Sequence, residues 1–218
     1  MELAAYTNLI KQIPYREHSF ETKRKVWEPY RNRQQFIQFY NDTLLNNEVV
    51  TFSRGELFSI VKEDPCKAIF ATILWGYPNG YTLGFNMATL FPKFLKQVKF
   101  LSKQLPIQKS ITEDELKNML KSCNGIGLST LTKLLYFFNI KMDGNRCLIM
   151  DARIIRILNN TEFKELRSFF GMGTNEQSGI RHYADYLRVC SQLSKKYGYK
   201  PDQLELFLFL FGNNLKNQ

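Results

Sequence analysis

The sequence predicts an all-α fold, and three observations predict it. Apolar residues recur at three- and four-residue spacing along most of the 218 residues, and no two-residue alternation is sustained. Clusters of Gly, Pro and Asn cut the chain into segments of helical length. A hydrophobic content of 44%, with 18 Phe and 11 Tyr, supplies a core for one large domain or two small ones.

Taken in order, a first helix is expected over Glu2 to Ile13, then a basic stretch, then a helix around Arg33 to Leu45. In the basic stretch Lys23, Arg24, Lys25, Arg31 and Arg33 interleave with Trp27 and Tyr30. That pattern reads either as a solvated face or as a phosphate-tracking surface. Ser53 and Asp64 are candidate N-caps, and Pro65 suits a first helical turn. A helix over Cys66 to Leu74 ends in the loop Trp75-Gly76-Tyr77-Pro78-Asn79-Gly80-Tyr81. A long helical stretch runs to Leu105, with Pro92 the place for a bend, and its Lys93, Lys96, Lys99 and Lys103 form one basic stripe.

Thr112 with Glu115 is a capping box opening a helix over Glu113 to Ser122. Beyond a hairpin at Gly125 to Gly127 come a helix from Ala152, a weaker one around Phe163 to Phe170 and a Gly-rich loop at Gly171 to Gly173. Two long helices, Glu176 to Tyr197 and Pro201 to Leu215, follow.

The 30 Lys and Arg outnumber the 20 Asp and Glu, a net charge of +10 that favours a polyanionic partner through phosphate neutralisation. The four cysteines (Cys66, Cys123, Cys147, Cys190) are widely spaced and contain no C-x-x-C pair. That spacing fits neither a zinc site nor an iron–sulfur loop, so free thiols in a reducing compartment are expected, with no metal and no redox cofactor. No apolar leader core and no run of membrane-spanning length is present, so a cytosolic (nucleoid-associated) or nuclear protein is expected, without a membrane partner.

The most informative segment is Leu116 to Tyr136, within a hairpin unit over 113–138. A helix bearing Leu116, Met119, Leu120 and Cys123 runs into Gly125-Ile126-Gly127, and a second helix with Leu128, Leu131, Leu134 and Leu135 starts at once. Paired glycines permit positive φ and close approach of another backbone. The N–H groups opening the second helix are then expected to face a phosphate, with Ser129, Thr130 and Lys133 adding hydrogen bonds. A bland connector between two helices has the same glycines. The matched apolar faces and the residues that follow favour nucleic-acid binding.

After a turn at Asp143-Gly144-Asn145, the apolar run Leu148-Ile149-Met150 delivers Asp151 to the mouth of the helix from Ala152. Asp151 is a favoured N-cap. A rigidly held carboxylate there also suits stabilising positive charge on a deoxyribose as its base leaves, or activating a nucleophile.

This combination resembles the helix-hairpin-helix DNA glycosylase superfamily, and most closely its 8-oxoguanine DNA glycosylase-like branch. The segments that carry the resemblance are C-N-G-I-G-L-S-T-L-T-K-L-L-Y-F-F (123–138), L-I-M-D-A-R-I (148–154), L-W-G-Y-P-N-G-Y (74–81) and L-E-L-F-L-F-L-F-G (204–212). The resemblance implies two helical lobes with a cleft between them, the lobes being 1–105 plus the C-terminal helices and 106–175 of a single 1–218 unit. It implies a monomer that binds double-stranded DNA containing a modified base, with Gly125, Ile126, Gly127, Leu128, Ser129 and Thr130 as the DNA clamp. It also implies base flipping, because the glycosidic bond cannot be attacked while the base is stacked.

In bifunctional members the lysine nucleophile stands two residues after the second glycine, and here that position is Ser129. Lys133 lies one helical turn further on the same face, at a position that also faces the base pocket in the family. Burial beside an apolar pocket favours a free amine able to form a Schiff base. Two alternatives stay open: Lys133 binds phosphate while Asp151 activates water, or the chain is a non-catalytic DNA-binding module. For the base pocket the candidates are Trp75 and Tyr77 in the inter-helix loop, and Gln203 with Phe207, one turn apart, in the last helix. His18 and His182 have no partner by spacing. Oxidised guanine and a bulky modified base in foreign DNA are not distinguished by these residues.

Overall fold

The computed structural model describes residues 1–82, 85–123 and 125–215, the side chains of 81–88 excepted. Asn124 of the hairpin and the side chain of Tyr81 therefore lie outside the described residues. In chain order the elements are α1 (Thr7–Gln12), β1 (Ser19–Lys23), α2 (Arg24–Trp27), α3 (Ile37–Thr43), β2 (Val49–Ser53), α4 (Arg54–Glu63) and α5 (Pro65–Gly76). Then come β3 (Tyr81–Thr82), β4 (Phe85–Asn86), α6 (Met87–Gln104), β5 (Ser110–Ile111), α7 (Glu113–Ser122) and α8 (Leu128–Phe137). The rest are β6 (Lys141–Met142), β7 (Asn145–Arg146), α9 (Ala152–Asn159), α10 (Glu176–Tyr197) and α11 (Pro201–Phe211).

The chain is mostly helical, yet it is not all-α. Among the described residues there are three small sheets: β1 with β2 antiparallel, β3 with β4 antiparallel, and the order β5-β6-β7. The two longest strands each bury a single residue, Thr22 and Phe52, so alternation is too faint to read from sequence. The Asp143-Gly144 turn is the tip of the β6–β7 hairpin, both residues having positive φ (49° and 76°). The first helix is also shorter than expected, a 3-10 turn at Leu3–Tyr6 leading into α1.

Two compact units divide the chain. One comprises Met1–Tyr15, Ser110–Lys117 and Gly127–Gln218; the other comprises Arg16–Lys109 and Asn118–Ile126. This division differs from the lobes drawn from sequence, since the C-terminal helices share a unit with α8 and α9 and not with the bulk of residues 16–105.

Within the second unit, Ser53 and Glu56 form a reciprocal capping box at α4, and Asp64 accepts from Lys67 N at α5. Both caps agree with the sequence. In the basic stretch the aromatic residues turn inward and some of the cations pair with an acid. Trp27 and Tyr30 are core residues, Trp27 Nε1 donates to Thr22 Oγ1 at 2.8 Å, and Arg24 and Arg31 both pair with Glu28. Within the first unit, α8, α9, α10 and α11 pack through Leu131, Leu135, Ile154, Leu158, Tyr183, Leu187 and Leu204, all buried. The four cysteines are unpaired thiols, and burial pushes Cys147 up to about 12. Among the described residues no helix is long and apolar enough to cross a membrane.

Candidate active site

The first unit carries the site, and α8 is its scaffold. From Thr130 to Phe137 every residue of α8 is buried, while Ser129 is half-exposed at the helix entrance. Lys133 is only 5% exposed. Its Nζ folds back one turn and donates to Ser129 Oγ at 2.6 Å and to Ser129 O at 3.3 Å. A lysine so deep in a helix bundle needs such acceptors, because an unsatisfied buried ammonium is strongly disfavoured. The amine therefore stands beside residue 129.

The carboxylate arrives on a strap. Leu148, Ile149 and Met150 are buried, Tyr183 OH donates to Leu148 O at 2.7 Å, and Met150 N donates to Thr132 Oγ1 at 3.1 Å. Thr132 and Met150 are the chain neighbours of Lys133 and Asp151, so this bond lashes the two candidate residues' segments together. Asp151 then caps α9, its Oδ1 accepting from Arg153 N and Ile154 N at 2.9 Å each. Among the described residues Oδ2 has no hydrogen-bond partner. The cap reading and a chemical role thus use different oxygens of one carboxylate.

Next to Asp151 the structure adds a pair that sequence reasoning missed. The Arg153 guanidinium lies over the Phe209 ring at 4.6 Å, and both residues are half-exposed. Phe207, by contrast, is fully buried against Tyr6, Phe163 and Phe211, and serves as core. Gln203 spends its amide on structure: Oε1 accepts from Lys200 N at the start of α11, and Nε2 donates to Lys11 O at 2.6 Å. Phe and Leu alternate through the unbroken apolar run 206–211 of α11, which does not by itself set the helix facing; the contacts of Phe207 with Tyr6 and Phe163 do.

The clamp is partly occupied from within. Leu128 N, at the positive end of α8, donates to the Glu176 carboxylate of α10. Gly127 is in extended backbone, with φ −95°, and a Cβ there would lie 2.7 Å from Glu176 Oε1. Gly127 therefore does not use positive φ, which corrects the sequence reading, and the atom a Cβ would meet is the far end of the Glu176 side chain, which can shift. Thr130 is buried, and Ser129 Oγ accepts from Lys133.

In the other unit Gly125 does have positive φ (86°), and a Cβ would lie 2.8 Å from Lys93 Cβ and 2.9 Å from Phe94 N. Ile126 is buried and its N–H donates to Cys123 O. Trp75 is 3% exposed, with Phe20 and His18 edge-on and the Arg54 guanidinium over its ring at 5.4 Å. Tyr77 is half-buried after α5 and its O accepts from Gly80 N. His18, given no partner by spacing, belongs to this cluster, and burial together with the Arg54 charge lowers it to about 4.

The family model described as "Putative 8-oxoguanine DNA glycosylase OGG-like protein" matches residues 13–209. The chain belongs to this family. The match takes in α8, the strap and Asp151, and it reaches Phe209 in α11. It bears out the resemblance carried by the hairpin and the downstream Asp. No curated protein and no solved structure matches the chain.

Proposed function

We propose that this OGG-like chain is a DNA glycosylase that flips out and excises an oxidised or otherwise modified base, and that Lys133 gives it AP-lyase activity. The observation that carries this reading is the position of the Lys133 amine, 2.6 Å from Ser129 Oγ. In the bifunctional members that the chain resembles, the nucleophile side chain starts from the position that is Ser129 here, and an amine from the next turn stands beside it.

The chemistry follows from the two groups. With its nitrogen unprotonated, Lys133 attacks the deoxyribose C1′; the C1′–N bond breaks and its electron pair leaves with the base, which takes up a proton. The attacking nitrogen then loses a proton and its electron pair closes a C1′=N bond, while the C1′–O4′ bond breaks with its electron pair going to O4′, which takes up that proton; a protonated imine results. The unbonded Oδ2 of Asp151 supplies negative charge for the cationic sugar as the base departs. Arg153 stacked on Phe209 offers a planar platform and a cation for the extruded base. The partner is duplex DNA containing the modified base, and oxidised purines such as 8-oxoguanine are the first substrates to try.

A second reading keeps Asp151 as the base for a water molecule and leaves Lys133 a structural cation, favoured by the Lys133–Ser129 bond itself. Duplexes carrying single lesions, incubated with the protein and heated in alkali, test the proposal. Strand cleavage that disappears in Asp151→Asn supports it. Cleavage without alkali supports the lyase step, and no base release from any lesion leaves a DNA-binding module.

A further inference from the structure

We infer that the solvent face of α6 is a second DNA-binding surface, which holds backbone phosphates of a duplex. This rests on the glycosylase reading for its substrate, but it is carried by different residues. Along its 18 residues α6 contains Lys93, Lys96, Lys99 and Lys103 and no Asp or Glu. At about 100° per residue these lysines fall within roughly one third of the helix circumference. They are exposed, whereas Phe91, Phe94, Leu95, Val98 and Leu101 on the opposite face are buried. Among the described residues none of the four lysines has a carboxylate partner.

A solvated helix face ordinarily mixes signs, because i, i+4 pairs with acids stabilise it and like charges repel. Four cations without one acid are maintained against that repulsion, which a polyanion relieves. The row rises about 15 Å from Lys93 to Lys103, long enough to meet about four phosphates of one strand at 3.4 Å each. It also begins at the hairpin: a Cβ on Gly125 would lie 2.8 Å from Lys93 Cβ, so the glycine of the DNA clamp packs on the first lysine of the row. An anionic membrane is the poorer occupant. The apolar side of α6 is already in the core, and among its described residues Phe100 is the large apolar side chain left substantially exposed.

The test is the salt dependence of duplex binding for three proteins: wild type, a stripe variant (Lys96→Gln, Lys99→Gln, Lys103→Gln) and a control variant (Lys62→Gln, Lys67→Gln, Lys141→Gln). The control loses the same charge from exposed positions outside α6. Each lost phosphate contact lowers the slope of log K against log salt by about 0.9, so the stripe variant is expected to lose about 2 to 3 from its slope while the control stays near wild type. Equal slopes for the two variants overturn the inference. So does loss of binding to anionic vesicles in the stripe variant with its DNA slope intact. Base excision by wild type with an unchanged stripe slope removes this surface and leaves the glycosylase standing. A reduced stripe slope without any base excision removes the glycosylase and leaves the surface. Wild type that binds no duplex removes both.

Discussion

Lys133 Nζ and Ser129 Oγ lie 2.6 Å apart across one turn of α8. The side-chain amine thus stands beside the position from which the family's lysine would project, although its own backbone is four residues further along. If that hydroxyl sets the amine's position, Ser129→Ala lets it swing. Single-turnover Schiff-base formation is then expected to slow by about ten- to a hundredfold with base binding retained, as expected for a misplaced reacting group.

Asp151 spends Oδ1 on the α9 cap, and among the described residues Oδ2, the oxygen proposed for the chemistry, accepts no hydrogen bond. Asn is also a good N-cap, so Asp151→Asn should leave the melting temperature nearly unchanged, whereas Asp151→Ala should cost about 1 kcal/mol. Both should lower base release by at least about a hundredfold. Thermal denaturation alongside single-turnover kinetics separates the two roles.

Phe207, whose spacing from Gln203 suggested a base-pocket wall, is core, and Phe209 lies half-exposed under the Arg153 guanidinium. Phe207→Ala opens a cavity in the core and should cost about 3–5 kcal/mol of stability. Phe209→Ala should cost less and should weaken binding of the modified duplex relative to the unmodified one, as read from the two dissociation constants.

Glu176 holds the N–H of Leu128 that an incoming phosphate would use. Glu176→Gln keeps an acceptor there and removes the negative charge. Duplex affinity is expected to rise a few-fold at low salt, with the gain shrinking as salt is raised. Unchanged affinity would mean that DNA does not approach this end of α8.

His18 is neutral in the folded protein down to about pH 4, whereas in the unfolded chain it takes up a proton near the ordinary imidazole value of 6.5. The unfolded state binds more protons between those values, so stability falls as pH drops from 6.5 towards 4. Melting temperatures over that range should fall less steeply in His18→Gln than in wild type.

Local features were legible in the sequence. The capping box at Thr112 and Glu115 and the Asp151 cap depend on residues two or three apart, and both stand as read. The boundaries of α7 and α10 came from the same kind of signal. What escaped depends on distant partners. Glu176 meets Leu128 across 48 residues, and nothing near either residue announces it. The β1–β2 pair does alternate in exposure, but over five residues a strand, and the buried residue of β1 is the polar Thr22, so the apolar alternation in the sequence is weak. The facing of α11 is decided by Tyr6 and Phe163, elements far from it in sequence.

The most direct measurement is borohydride reduction of the protein incubated with a lesion-containing duplex, followed by peptide mapping of the cross-link. The account predicts a reduced adduct on Lys133, absent in Lys133→Gln. An adduct on another lysine, or base release that persists undiminished in Lys133→Gln, would contradict it.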